Sequence, residues 1–234
     1  MKHIPRFYVT SVLDNDREVT LDAEQMHHAH IVLRAEVGDI VRVFNGKDGE
    51  WNCRISNLKK NTVVCSYLER AQREEKGATV ICPLINPNRF SILLEKITEL
   101  GVTNIIPVIT QYCQYKDFNR RKAEQTIIHA CEQSGRLTLP KLCDVVKLQN
   151  FLREYRDSSP ILVGDERLGS SKLQDVISEN AIFLVGPEGG FSDDEFELFK
   201  TRDFVHLFSF GKNILRSETS AIAFVSVWNN IFLQ

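Results

Sequence analysis

The stretch TVICPLINPNRFSILLEKITELGVTNIIPVI, residues 79–109, passes from strand to helix and back to strand. Thr79 to Leu84 is a short, mostly apolar run of the kind a strand buried on both faces carries. Phe90, Leu93, Leu94, Ile97 and Leu100 then recur at three- and four-residue spacing, which places them on one face of a helix. Gly101 stands where a left-handed residue caps the helix end, and Ile105 to Ile109 supplies the next strand. A strand, a crossover of helical length and a second strand make a parallel pair, because antiparallel neighbours need only a tight turn. The fold class predicted for this part of the chain is α/β with a mostly parallel sheet.

The same alternation continues toward the C-terminus. Helices are expected at about 121–134 and 148–155, and short strands at 161–163 and 181–185. The last element, from Ala221 to Phe232, is a helix with almost no polar face, so both sides must be covered. One side can rest on the sheet. The other is expected to meet a second copy of the chain, the alternative being a central helix buried within one chain.

Toward the N-terminus the period changes to that of strands. Trp51, Cys53 and Ile55 alternate with polar neighbours, and Asn45-Gly46 and Asp48-Gly49 mark turns. The expectation for residues 1–70 is a small antiparallel β-barrel interrupted by one helix at 23–33. The stretch 69–77, ERAQREEKG, is charged and lacks apolar periodicity, so it reads as the linker to a second domain at 77–234.

A formal net charge of -2 and an apolar share of 43% describe a globular chain without a long-range field for polyanions, so any polyanion partner must be met by local patches. The six cysteines form no CxxC pair and read as reduced core thiols, and no apolar run is long enough for a signal peptide or a membrane span. A soluble, cytoplasmic protein is expected. His27, His28 and His30 cluster without thiolates or carboxylates at zinc spacing, so no metal is expected. Neither a G-x-x-x-x-G-K-[ST] phosphate loop nor a strand followed by G-x-G-x-x-G occurs, which disfavours kinase, GTPase and dinucleotide readings.

Three glycine-bearing junctions fall where strands should end: Val163-Gly164-Asp165-Glu166, Val185-Gly-Pro-Glu-Gly-Gly190, and Phe210-Gly-Lys-Asn-Ile-Leu-Arg216. Ligands of open parallel sheets bind off those carboxyl ends. Gly189-Gly190 lets the backbone turn tightly, and Ser192-Asp-Asp-Glu195 forms a capping box for the helix beyond it. A lone glycine pair would be read as an ordinary turn into a helix.

Four motifs in order carry a resemblance: Glu99-Leu-Gly-Val102, Cys131-Glu-Gln-Ser-Gly-Arg136, Leu184-Val-Gly-Pro-Glu-Gly-Gly-Phe191 and Ile214-Leu-Arg-Ser-Glu-Thr-Ser-Ala221. With Arg6-Phe-Tyr8 and the Val32-Leu-Arg34 to Gly38-Asp39 segment, nearly the whole chain resembles the ribosomal RNA small subunit methyltransferase E family of the SPOUT superfamily. The resemblance implies a PUA-like barrel followed by an α/β SPOUT domain with a C-terminal trefoil knot. It also implies methylation of N3 of a uridine in small-subunit ribosomal RNA, with S-adenosylmethionine as donor. The balanced basic and acidic side chains of the first seventy residues suit shape recognition of an assembled small ribosomal subunit, and the apolar last helix suits a homodimer.

By the same resemblance Val163, Gly164, Asp165, Glu166, Val185, Gly186, Pro187, Gly189, Gly190, Phe210, Gly211, Ile214, Leu215 and Thr219 bind the donor. A uridine N3 carries a proton whose removal leaves charge on the pyrimidine oxygens; Arg136 and Arg216 are candidates to stabilise it, and Glu188 or Glu218 to take the proton. The bland alternative is a structural ion pair, such as Arg216 with Glu188 or Glu218. Arg6, Arg34, Arg42 and Arg54 are the expected RNA contacts of the barrel. Ser91, Thr110-Gln-Tyr-Cys113 and Asn213 depart from the family pattern, which leaves two rivals open: a SPOUT enzyme acting on another RNA or base, and a non-catalytic RNA-binding assembly factor.

Overall fold

The computed structural model describes residues 4–164 and 172–233, in two compact units: Met1–Glu75 with Cys131–Leu139, and Lys76–Ala130 with Pro140–Gln234. The elements of the first unit are β1 (Arg6–Tyr8), β2 (Glu18–Thr20), α1 (Ala23–His27), β3 (Ile40–Phe44), β4 (Glu50–Asn57) and β5 (Thr62–Arg70). A capping box from Asp22 and Gln25 starts α1, which runs on as a π-helical turn over His28–Val32. The strands form one sheet in the order β1-β3-β4-β5-β2. Three of its pairings are antiparallel, as expected, but β1 runs parallel to β3, with Arg6 opposite Arg42. The chain passes through β2 and α1 between these two strands, so no tight hairpin dictates their direction.

Phe7, Val19, Val41, Val43, Ile55 and Val63 fill the core of this unit, together with Cys53 and Cys65. A register shift between Asn52 and Cys53 breaks the simple alternation of β4 and lets both side chains be buried. Cys53 and Cys65, opposite one another across β4 and β5, stand 3.3 Å apart at sulfur as free thiols.

Contiguous domains cannot account for residues 131–139, which lie with the first unit because its polar groups hold them. The Arg6 guanidinium donates to the carbonyls of Cys131, Glu132 and Arg136, and Arg70 donates to that of Gly135. Glu75 accepts from the amides of Leu137 and Thr138. Between the two arginines sits Glu50, with no exposed surface, held by Arg6 Nε and by Arg70 Nε at 2.8 Å. Burial pushes the Glu50 carboxyl up, but the hydrogen bonds from Arg70 and Arg6 outweigh it and leave the group below the usual carboxylate range.

The second unit contains β6 (Thr79–Pro83), α2 (Pro87–Glu99), β7 (Asn104–Ile109), α3 (Arg120–Ser134), β8 (Lys141–Leu142), β9 (Val146–Lys147), α4 (Leu148–Glu154), β10 (Ile161–Gly164), α5 (Leu173–Val176), β11 (Ile182–Leu184), α6 (Asp193–Lys200), β12 (Val205–Phe208) and α7 (Ser217–Phe232). The last residues of α3 group with the first unit. The strands order as β12-β10-β11-β6-β7-β8, with β9 also on β7, and every pairing is parallel. Asn86 caps α2 with Pro87 in its first turn, and Gly101 follows its end at φ +90°. The capping box expected from Ser192 and Glu195 starts α6.

Helix α7 packs on α2 and against the sheet, where Phe224 stacks on Phe183 with centroids 4.4 Å apart. Its indole end is fixed by Trp228 Nε1 donating to the Glu179 carbonyl. Near its C-terminus Ile231 and Leu233 remain 42% and 43% exposed. The loops whose threading would make the implied knot include residues 165–171, which lie outside the described residues. Among the described residues no helix is long and apolar enough to cross a membrane, and no cluster of metal-ligating side chains occurs.

Candidate active site

Strands β12, β10 and β11 are neighbours and run parallel, so the chain leaves all three at the same edge of the sheet. A cavity of about 440 Å³ opens at that edge, lined by Gly164 after β10, by Gly186, Pro187, Glu188 and Gly190 after β11, and by Phe210, Ile214, Leu215 and Arg216 after β12. This is where an open parallel sheet places its ligands. The glycines leave bare backbone in the wall: a Cβ on Gly186 would stand at ordinary contact distance, 3.7 Å from the Gly164 carbonyl oxygen and 3.7 Å from the Phe191 ring. Gly190, at φ +71°, turns the loop in a conformation that a side chain disfavours. Ser217 at the start of α7 donates to the Gly186 carbonyl at 2.6 Å and ties two of the loops together.

The sequence did not single out Arg89, which the fold places in the cavity wall. It sits in the first turns of α2, and the packing of α2 on α7 carries it to loops that lie far along the chain. Its guanidinium is 3.4 Å from Glu188 and 3.2 Å from Glu218. The structural ion pair considered for Arg216 is thus made by Arg89 instead, and Arg216, which also lines the cavity, has no ion-pair partner among the described residues. Glu218 does not line the cavity: it is only 9% exposed, and its Oε2 is buried without a hydrogen-bond partner among the described residues. Phe191, Ser209, Asn213, Ser217 and Ser220 complete the lining. Apart from its distance in the chain, Arg89 gave no signal to find it by; Ser217 and Ser220 lie within a quoted motif.

Other expected donor-binding residues lie just outside the lining. Val163 and Val185 are fully buried beneath it, Gly189 stands with its Cβ position 3.2 Å from Tyr112, and Gly211 and Thr219 are exposed. Asp165 and Glu166 fall outside the described residues. Arg136 is not among the lining residues: it is 8% exposed and pairs with Glu75 at 3.0 Å in the first unit. A cation buried that deeply needs a fixed counter-charge, and Glu75 supplies it.

In the first unit Arg6 is likewise committed. Its side chain is 9% exposed, paired with Glu50 and stacked 4.6 Å over the Phe44 ring, while Arg42 pairs with Glu69. Arg34 and Arg54 are exposed; Arg54 makes only a long 3.4 Å contact to the Gly38 carbonyl.

Two family models match the chain: an RNA methyltransferase domain over residues 72–229 and an RNA methyltransferase PUA domain over residues 21–66. A ribosomal RNA small subunit methyltransferase E from Rickettsia conorii is 31% identical over 94% of this chain and 93% of its own length. The chain belongs to the ribosomal RNA small subunit methyltransferase E family. Its fold matches that of the Neisseria gonorrhoeae ribosomal RNA small subunit methyltransferase E solved bound to S-adenosyl methionine, with a TM-score of 0.84, 28% identity and 98% of both chains covered. A Legionella pneumophila protein solved in complex with the cofactor SAM matches at TM-score 0.85 and 30% identity, again over 98% of both chains. An RNA methyltransferase PUA domain followed by an RNA methyltransferase domain built on a parallel α/β sheet agrees with the architecture expected from the motifs.

Proposed function

We propose that this chain methylates N3 of a uridine in small-subunit ribosomal RNA, with S-adenosylmethionine as donor. The observation that carries the reading is the cavity at the shared edge of β12, β10 and β11, whose wall is backbone at Gly164, Gly186 and Gly190. The relatives named for this activity, and the solved relatives that hold the donor, support it.

The residues present suit such a donor. Phe191, Phe210, Ile214 and Leu215 offer apolar surface for an adenine ring, and the glycine backbones leave amides and carbonyls open to its edges. When bound there, S-adenosylmethionine supplies an electrophilic methyl group. The chain's own task is alignment and charge. The loops hold the reactants in line and exclude water. The N3 proton passes to the carboxylate of Glu188, which lines the cavity and stands 3.4 Å from Arg89, while Glu218, outside the lining with its Oε2 buried, holds Arg89 from the other side. Arg216, which lines the cavity and has no ion-pair partner among the described residues, neutralises the charge left on the pyrimidine oxygens. Arg136, committed to Glu75, serves the fold in this scheme.

Arg34 and Arg54 are the barrel arginines with donors left for phosphate, and the target base turns out of its stack to reach the cavity. The chain acts in the cytoplasm on assembled small subunits. A second copy covers the exposed end of α7 at Ile231 and Leu233.

Transfer of tritium from labelled donor to small ribosomal subunits tests the activity, and mass spectrometry of ribosomal RNA from a strain lacking the protein names the nucleotide. Donor binding without transfer would favour a non-catalytic assembly factor, and a methyl group lost from another RNA would move the substrate.

A further inference from the structure

Arg89 and Phe90 are consecutive in α2 yet serve different cavities. Arg89 lines the one described above, whereas Phe90 lines a second, of about 200 Å³, between the start of α2 and the start of α3. Phe90 and Phe118 meet there edge to face, with centroids 5.3 Å apart, and Leu84, Ile85, Pro87 and Leu94 supply further apolar wall. Its polar groups are the Ser91 and Thr126 hydroxyls, 3.3 Å apart, with Asp117, Asn119 and Lys122. The volume far exceeds what one water needs, and the mix of aromatic wall and a few hydroxyls is that of a site for a planar ring with polar edges.

The charge around it is one-sided. Lys116, Arg120, Arg121 and Lys122 are met by Asp117 alone within the same stretch, and Asp117 already accepts from the Phe118 amide. Arg120 is engaged by Asp144, by Glu124 at 3.5 Å and by two carbonyls, and lies 5.9 Å over the Phe118 ring. Lys116, Arg121 and Lys122 are exposed and have no ion-pair partner among the described residues. Arg121 and Lys122 share the first turn of α3 with Arg120, where the helix's own positive end repels them, and no acidic side chain lies in that turn to offset it. The fold gives Arg120 its partners; a polyanion gives Arg121 and Lys122 theirs.

We infer that the second cavity receives an unpaired nucleobase of the RNA next to the nucleotide being methylated, with Arg121, Lys122 and Lys116 on the flanking phosphates. The inference rests on the reading of the first cavity as the methyl-transfer site. The two cavities flank one helix, whose width with side chains is about 10 Å, so neighbouring nucleotides of one strand reach both. Stacking on Phe118 holds the base without selecting its identity, while Ser91 and Thr126 face its edge. This subsite fixes which uridine is presented, because the flanking base must be unpaired too.

The test compares the wild type with R121A/K122A, with Ser91→Phe, which plugs the cavity, and with the small Ser91→Ala. KM for small ribosomal subunits should rise roughly tenfold in R121A/K122A, and the slope of log affinity against log salt should fall by about two. Ser91→Phe should raise KM to a similar extent without changing that slope, and Ser91→Ala should not. Donor affinity by calorimetry and melting temperature should stay at wild-type values throughout. A photo-crosslinking amino acid at position 122 should capture ribosomal RNA beside the methylated nucleotide. Wild-type KM and salt slope in both R121A/K122A and Ser91→Phe, or crosslinks only to a ribosomal protein, would overturn the inference. Failure of the wild type to bind donor or transfer methyl would instead sink the assigned activity, while subunit binding and crosslinking still decide the subsite.

Discussion

Arg89 in α2 donates to Oε1 of Glu218 in α7 at 3.2 Å, and its Nε stands 3.4 Å from Glu188 in the loop after β11. One cation therefore holds in register a loop 99 positions and a helix 129 positions further along the chain. The partly buried pair leaves Glu218 Oε2 as an acceptor with nothing assigned to it.

Glu188→Gln should lower kcat by about 10²-fold or more, in the range for loss of a general base, while donor affinity by calorimetry stays near wild type. Arg89→Ala should lower kcat as well and also reduce thermal stability, since it leaves Glu218 buried without a counter-charge. Unchanged kcat in Glu188→Gln would remove that residue from the proton path.

Gly186→Ala should fold with little loss, because the nearest atoms to the new methyl group stand at 3.7 Å. It should nevertheless weaken donor binding, since the methyl group covers backbone in the cavity wall. Gly190→Ala should in addition cost about 1–2 kcal/mol of stability from its positive φ. Calorimetric titration and melting curves separate the two effects.

Glu50 contributes stability in its ionised form, paired to Arg6 and Arg70, and its pKa is lower in the folded protein than in the unfolded chain. That contribution is full above the unfolded value of about 4.3 and is lost as pH falls through the lower, folded value. Glu50→Gln should cost about 3–5 kcal/mol at neutral pH by leaving Arg6 unpaired in a buried site, and should flatten the acid limb of melting temperature against pH. An acid limb as steep as that of the wild type would mean that other carboxylates govern it.

Phe224→Ala removes the ring stacked on Phe183 in the core beneath α7. The expected loss is about 3–5 kcal/mol, or roughly 6–20 °C in melting temperature for a chain of this size.

I231E/L233E places two charges on the exposed end of α7. Sedimentation should report a dimer for the wild type and a monomer for this variant. A monomeric wild type would dismiss the covering second copy.

Residues 79–109 and the glycine junctions made most of the second unit legible, because a buried parallel strand and an amphipathic helix each write their period into the chain. The capping box at Ser192 and the glycine after α2 were equally local, since a cap depends on residues within three or four positions. The parallel pairing of β1 with β3 was not local; neither were the strand β12 and the return of residues 131–139 to the first unit.

The same division runs through the site. The sequence by itself determined which loops could approach a ligand, because only glycine leaves the backbone bare, and its four motifs were enough to indicate the family. Only the tertiary structure decided which charges stand there: Arg89 entered through the packing of α2 on α7, while Arg136 and Arg6 were drawn to Glu75 and Glu50. An arginine's role depends on which counter-charge lies within about 4 Å of it, and that distance is set by the packing of elements, which no spacing along the chain records.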